Sequence, residues 1–366
     1  MTPTTALDTR LDRMRGGTPP RNHDARSIAA LTTNPGCARR AVLDAAGADK
    51  GEIAQYLGHR MPFGQSQFAI TRGNAFEAVV KNDGCAQLYG LLRDKLGLPV
   101  PESFYADLEE VGGNVSREVR YTRTKQLLKR AIEGEGTLFD HPLLRLEVGG
   151  HLVYLEPDVI AFRLRGRFHV VEIKSFPIID GRADADQVAA AARQSAVYVL
   201  ALQRMMAELD QPEDLVADEV VLVCPENFSN RPTATLVDVR PQLAVIRRQI
   251  RRMHRIDELL DALPEDLSFE LDEGLETALT SIGARYAPAC MSTCDLAFFC
   301  RAEARACGAT EVLGRQLGDQ LGGVTRISDA LALADGTLAP PEGLEEITAE
   351  LREARRLLAE LAGSGA

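Results

Sequence analysis

The chain has no tryptophan, and its aromatic residues amount to 5% of 366 positions. Its core must therefore be mainly aliphatic, and base-stacking aromatic platforms are scarce. No apolar run is long enough for a membrane helix, and the N-terminal region lacks the apolar segment of a signal peptide. These absences predict a cytoplasmic protein with no membrane partner. There is no internal repeat, which excludes solenoid architectures. There is also no G-x-x-x-x-G-K-[ST], so the chain should not power strand unwinding by itself. Positive charge is in deficit, with a net charge of −11, which argues against a general nucleic-acid coat but leaves room for a local basic groove. Seven cysteines, an odd number in a reducing compartment, favour metal ligation over a disulfide framework.

The most informative stretch runs from Glu156 to Ser175, E-P-D-V-I-A-F-R-L-R-G-R-F-H-V-V-E-I-K-S. It places Asp158 on one strand and Glu172 with Lys174 on the next, two apart and so on one face. A turn at Arg165-Gly166-Arg167 folds the first strand back toward the second. Two carboxylates with a lysine beside them make a hard-oxygen site for Mg²⁺ or Mn²⁺ next to a positive charge. A D…E-x-K spacing alone occurs on many solvent-facing strands. Here Val170, Val171, Ile173 and the Val153–Ile160 run make both strands apolar on both faces, where an ionised group is costly unless paired or metal-bound. Glu77, in G-N-A-F-E, adds a carboxylate from the preceding helix. Gln194 and Tyr198 share a face of the following helix, where plain helix packing explains them nearly as well as substrate contact. Glu156 is a reserve carboxylate.

The pattern predicts an α/β fold with a mixed sheet flanked by helices. Residues 1–26 read as a loose Pro/Gly-rich leader, 27–308 as one domain and 309–366 as a helical tail. Expected helices are 66–80, 184–208, 242–263 and 342–361, with a mainly helical insertion over about 84–142. Expected strands are 143–148, 151–164, 167–176 and 219–224.

In order, G-x-x-x-E, P-D, E-I-K and Q-x-x-x-Y resemble the PD-(D/E)xK nucleases of the RecB type, over roughly residues 30–307. The resemblance implies a restriction-endonuclease-like core and a metal-dependent deoxyribonuclease. Glu77, Asp158 and Glu172 would hold the metal, with the Ile173 carbonyl as an extra ligand. Lys174 would orient or deprotonate the attacking water, and Gln194 and Tyr198 would position the strand. In the family the helix residue is commonly His; here Glu77 takes its place. DNA with a single-stranded or frayed end is the implied substrate, in repair, CRISPR adaptation or phage defence, and a helicase or other defence or repair proteins are the implied partners. The rival readings are a non-catalytic DNA-binding or assembly module, an RNA-directed nuclease, and a zinc-stapled interaction protein.

Cys290, Cys294 and Cys300 fall within eleven residues, and a four-ligand site needs a fourth from Cys37 or Cys307. A branch of the same family, including CRISPR-associated exonucleases and the AddB-type nuclease domain, carries an iron–sulfur cluster on one upstream and three downstream cysteines. That resemblance implies a 4Fe–4S cluster on Cys37, Cys290, Cys294 and Cys300, with Cys307 spare and structural Zn²⁺ as the alternative. Cys85 and Cys224 read as core residues. Finally, Arg247, Arg248, Arg251, Arg252 and Arg255, joined by Arg39 and Arg40, read as a phosphate-tracking surface. A second basic cluster lies at Arg120, Arg123, Lys125, Lys129 and Arg130.

Overall fold

The structure is a computed structural model that describes residues 6–21, 23–60, 67–95, 105–108, 116–134, 138–164, 166–227, 229–313 and 315–363. Ser66 and Arg165, used above to bound a helix and a turn, lie outside them. The helices are α1 (Ala6–Arg15), α2 (Ala25–Leu31), α3 (Ala38–Ala46), α4 (Lys50–Tyr56), α5 (Gln67–Gly90), α6 (Arg117–Ile132), α7 (Ala185–Glu208), α8 (Arg240–Ile250), α9 (Ile256–Asp261), α10 (Leu275–Thr280), α11 (Cys290–Thr293), α12 (Ala297–Ala306), α13 (Arg315–Gln320), α14 (Ile327–Ala334) and α15 (Glu345–Gly363). The strands are β1 (Tyr105–Asp107), β2 (Leu138–Asp140), β3 (Leu144–Val148), β4 (His151–Leu155), β5 (Val159–Leu164), β6 (Arg167–Ile173), β7 (Glu219–Pro225) and β8 (Pro232–Asp238). Among the described residues, no helix is long and apolar enough to cross a membrane.

The fold is α/β. A mixed six-stranded sheet runs in the order β1-β2-β5-β6-β7-β8, and β3 with β4 forms a separate hairpin. β5 and β6 are antiparallel neighbours, and β6 runs parallel to β7. The central strands are buried on both faces, which is why their sequences are apolar without alternation. Phe168 and Val170 point into a core shared with α2, α6, α7, α8 and the β3–β4 hairpin. Val171 and Ile173 point into a second core with Phe76 and Val80 of α5. α7 starts where Asp184 accepts the Gln187 N–H at 2.9 Å, a side-chain N-cap. A third core joins α1, α3, α4 and α9 to segments around residues 267–299.

Several expectations need correction. Residues 6–15 of the expected loose leader form α1, whose Leu11 and Met14 are buried; Phe269 N–H donates to Met14 O at 2.7 Å and Arg10 donates to Leu260 O at 2.7 Å. The insertion contributes two strands, β1 and β2, to the edge of the main sheet. The expected strand 151–164 is two strands in two sheets, divided at Glu156-Pro157-Asp158, because the proline has no N–H to continue a ladder. β8 covers β7 along its whole length and begins at a proline, as an edge strand tolerates. α5 holds Phe76 and Val80 in the core but leaves Phe68 exposed, and its helix is broken at Asn82–Cys85.

The expected helix 242–263 is two helices separated by Arg251–Arg255. The periodic stripe serves two cores: Leu243 and Ile246 enter the sheet core, while Ile256 and Leu260 enter the third. One straight helix cannot feed both. The bend is fixed where Ile256 N–H donates to Gly149 O at 2.8 Å. Gly149, at φ +58, has no room for a side chain there, since a Cβ would lie 2.8 Å from His254 O.

Candidate functional site

The register of β5 on β6 pairs Val159 with Val171 and Ile160 with Val170, which sets Asp158 opposite Glu172. The Asp158 Oδ2 accepts the Ile173 N–H at 2.7 Å. Lys174 N–H donates to Val223 O at 2.9 Å, pinning this end of the strand to β7. Glu172 and Lys174 share a face as expected: Lys174 Nζ lies 2.5 Å from Glu172 Oε1. Glu172 is completely buried, and neither carboxylate oxygen has a well-aligned hydrogen-bond donor. The ammonium contact satisfies Oε1 in charge only, and Oε2 has no hydrogen-bond partner at all.

Burial, then the neighbouring Asp158 charge, pushes the Glu172 carboxyl up to about 8, against the pull of Lys174. Burial likewise raises Asp158, opposed by Lys174. If both carboxyls ionised, one ammonium would leave one negative charge without a counterion, so the pair holds a proton unless a further cation is bound. A buried oxygen with no donor and an all-oxygen donor set fit a hard divalent cation such as Mg²⁺ or Mn²⁺, which Asp158 and Glu172 would hold.

The raised Glu172 value has a thermodynamic consequence. Between about pH 4.5 and 8 the folded state keeps a proton that the unfolded state releases, so stability falls as pH rises through that window. In EDTA, thermal unfolding should show wild type losing stability toward pH 8 relative to Glu172→Gln, which carries no such charge. A divalent ion should restore it in wild type, most strongly at high pH. At a hundredfold excess over its dissociation constant, it would contribute about 2.7 kcal/mol. Parallel pH curves for the two proteins would refute this reading of Glu172.

Glu77 stands beside this pair but is already engaged. Lys81 Nζ is 2.6 Å from its carboxylate and His141 Nε2 is 3.6 Å away. The His141 imidazole foremost, with Lys81, holds the Glu77 carboxyl down at about 2 despite burial. Lys81 also reaches Asp140 at 2.7 Å. Asp107, Asp140 and His141 have their ligand atoms within 4.8 Å of one another, the one such trio among the described residues. Glu77, Asp158 and Glu172 are therefore set more widely than a closed three-ligand cage. The sequence reading missed Asp107 and Asp140, because strands of three residues carry no usable pattern, and Lys81 of α5 and His141 just past β2, whose partners lie on other elements; the F-D-H run after Leu138 was the available signal. Reserve Glu156 lies in the bend before β5 and pairs with Arg120 at 3.1 Å.

Tyr198 is buried on α7 and packs in the sheet core. Burial, then the Glu172 and Asp158 charges, raises its phenol well above the ordinary value, and Gln194 hydrogen-bonds it. It is thus a neutral hydroxyl facing the carboxylates. Tyr198 packs as the plain helix-packing reading expects and also hydrogen-bonds Gln194.

Cys37 caps α3 at its N-terminus, and Cys290, Cys294 and Cys300 lie on or beside α11 and α12. Asn34 Nδ2 donates to Cys290 Sγ at 3.4 Å, across 256 positions of sequence. Arg39 Nη1 donates to Cys300 Sγ at 3.4 Å and forms a bidentate pair with Glu303 at 2.7 and 3.0 Å. Cys37 and Cys294 both act electrostatically on Cys300. Burial pushes the Cys294 thiol up to about 11 and the Cys300 thiol up to about 12. No three thiols lie within 4.8 Å of one another among the described residues. Cys307 is exposed, and Cys85 and Cys224 are buried in other clusters.

Arg39 and Arg40 do not join a surface groove. Both are buried, Arg39 against Glu303 and Arg40 against Asp44. The row after residue 246 divides. Arg247 donates to Gln203 at 2.6 Å and Glu213 at 3.0 Å, and Arg255 pairs with Asp257 at 2.8 Å. Arg248, Arg251 and Arg252 are exposed. In the second basic cluster, Lys125 pairs with Glu208 at 3.0 Å.

No family model and no curated protein matches the chain. Among solved structures it is similar to the crystal structure of SSO0001, at 12% identity and a TM-score of 0.22, over 68% of this chain and 84% of that one.

Proposed function

We propose that the protein is a metal-dependent nuclease that hydrolyses phosphodiester bonds of DNA with single-stranded or frayed ends, on a core of the PD-(D/E)xK type. The observation that carries this reading is Glu172: a fully buried carboxylate with an unsatisfied oxygen, opposite Asp158 and 2.5 Å from Lys174. A carboxyl so buried keeps its proton unless a cation balances its charge, and a divalent ion would do so here. When bound, a divalent ion supplies Lewis-acid polarisation of a phosphate oxygen. Lys174 is about one-quarter exposed, so its ammonium can meet solvent and substrate while bonded to Glu172. It orients the attacking water and offsets charge developing on the phosphoryl oxygens. The neutral Tyr198 hydroxyl, hydrogen-bonded with Gln194, faces the carboxylates from α7. Glu77, ionised and held by Lys81 and His141, stands beside the pair as a further carboxylate and would have to move to join a metal held by Asp158 and Glu172.

We further propose that Cys37, Cys290, Cys294 and Cys300 hold a 4Fe–4S cluster. A single zinc with four thiolates at about 2.3 Å would draw the sulfurs to roughly 3.8 Å apart. Iron and zinc analysis of the anaerobically purified protein distinguishes the two.

The test is cleavage of end-labelled single- and double-stranded DNA and RNA by anaerobically purified protein with Mg²⁺, Mn²⁺ or EDTA. Metal-dependent loss of DNA supports the proposal; no cleavage of any substrate under any condition overturns it. For the exposed arginines, Arg248→Ala with Arg252→Ala should weaken DNA binding at low salt. The salt-dependence slope should fall by about 0.7 to 0.9 per lost phosphate contact, with no change in folding. Unchanged affinity and slope, measured by fluorescence anisotropy, would remove these two residues from the interface.

A further inference from the structure

Arg39 is buried to 2% exposure. A guanidinium keeps its charge when buried, so its donors need partners inside the protein. Nη1 and Nη2 donate to the two carboxylate oxygens of Glu303 at 2.7 and 3.0 Å, and Nε donates to Ile282 O at 3.3 Å. Nη1 also donates to Cys300 Sγ at 3.4 Å. The guanidinium carbon lies 5.4 Å from the centre of the Phe299 ring, within cation–π range. The placement is reciprocal in sequence. Arg39 follows Cys37 by two residues at the start of α3, and Glu303 follows Cys300 by one turn on α12. The fork therefore fixes the helix beside the upstream thiol against the helix that carries a downstream one.

Asn34, three residues before Cys37, repeats the arrangement on a second sulfur. Its Nδ2 donates to Cys290 Sγ at 3.4 Å and to Arg285 O at 2.6 Å. Beside Cys294, Arg40 and Lys50 share Asp44, two cations to one carboxylate. A neutral thiol is a weak acceptor, whereas an ionised one forms the stronger, charge-assisted bond. Donors and positive charge aimed at these sulfurs thus suit metal-bound thiolates. We infer that Arg39 is a positioning residue of the cysteine centre, whose Nη1 donor and charge, held in place by Glu303, stabilise the reduced form of a cluster bound through Cys300. This deepens the cluster reading and rests on it for what the sulfurs hold. Hydrogen bonds to a ligand sulfur and nearby positive charge favour the state carrying the extra electron, and so raise the reduction potential. Glu303 has the opposite charge and tempers that effect. Removing one or the other member of the pair should therefore move the potential in opposite directions, which a purely structural clamp would not do.

The experiment is a dithionite titration of the full chain, purified and reconstituted without oxygen, followed by visible absorbance and electron paramagnetic resonance. Iron is counted in every sample. Arg39→Gln should shift the one-electron reduction equilibrium about tenfold toward the oxidised cluster, ~59 mV. Arg39→Lys keeps the charge and should recover most of that shift. Glu303 is about one-third exposed, so Glu303→Gln, nearly unchanged in shape, should fold normally and shift the equilibrium several-fold toward the reduced cluster. Wild-type potentials in iron-loaded Arg39→Gln and Glu303→Gln, or shifts of the same sign in both, overturn the role of Arg39 and leave the cluster standing. If Arg39→Gln does not fold, the Glu303→Gln potential decides: a rise supports the inference, and no change or a fall overturns it. Wild type that binds no iron overturns the cluster and this inference together.

Discussion

Lys174→Ala is expected to abolish DNA cleavage while leaving the protein folded. Among the described residues its ammonium is the cation paired with the buried Glu172, 2.5 Å away, and it is partly exposed. Removing it takes away the group that orients the water and offsets transition-state charge. Groups that act together in a metal site typically cost powers of ten when one is lost. A loss of at least about a thousandfold, equivalent to about 4 kcal/mol of barrier, is expected. Asp158→Asn and Glu172→Gln should be as severe, because each removes an ionised oxygen donor of nearly unchanged shape. Folding should survive in Lys174→Ala, since Glu172 titrates high enough to accept a proton in place of its partner. Single-turnover cleavage with Mg²⁺, alongside circular dichroism, checks both halves. Cleavage at the wild-type rate by folded Lys174→Ala would show that the site lies elsewhere.

Cys37→Ser is expected to lose iron and a large part of the thermal stability. The residue caps α3 in the N-terminal region, while its proposed co-ligands lie on α11 and α12. These regions also meet directly, through the third core and through buried polar contacts. The polar contacts include the Asn34 and Arg39 hydrogen bonds to Cys290 and Cys300, and Arg39 N–H to Gly283 O at 3.0 Å. A cluster bridging them closes a loop of some 250 residues. In the chain-entropy picture, a cross-link over that length is worth on the order of 5 kcal/mol. A fall of roughly 6 °C in melting temperature follows. Cys290→Ser, Cys294→Ser and Cys300→Ser should behave alike, whereas Cys85→Ser and Cys224→Ser, buried in other clusters, should keep full metal. Iron analysis and the visible spectrum decide. Wild type containing no iron but about one zinc per chain would replace the cluster with a zinc site and leave the clasp intact.

The local elements that carry this site were largely legible in the chain. Alternation on β6 alone puts Glu172 and Lys174 on one face, because the strand period is two. The turn at Gly166 returns β6 alongside β5, and Asp184 with its alanine-rich follow-on marks α7. The apolar runs flanking Asp158 and Glu172 already implied that their charges are buried at a cost. What misled the reading was periodicity that continues across a change of core. Residues 242–263 keep a helical stripe although the chain bends at Arg251–Arg255 to feed two cores. Residues 151–164 read as one strand although Pro157 moves them between two sheets. Charge runs misled in a similar way: Arg39 and Arg40 look like surface basics but are neutralised inside the fold by Glu303 and Asp44.

By itself, then, the sequence determined the chemistry available: which carboxylates, lysine and thiols exist, and which of them share a strand or helix face. It did so because those relations depend only on backbone geometry within one element or one hairpin. The tertiary structure decided everything that joins distant elements. It set Glu77 under the hold of Lys81 and His141, gathered Asp107 and Asp140 beside it, and brought Asn34 and Arg39 to the downstream sulfurs. These outcomes follow from packing apolar faces into shared cores, and the side chains that such packing brings together carry no common period in the chain.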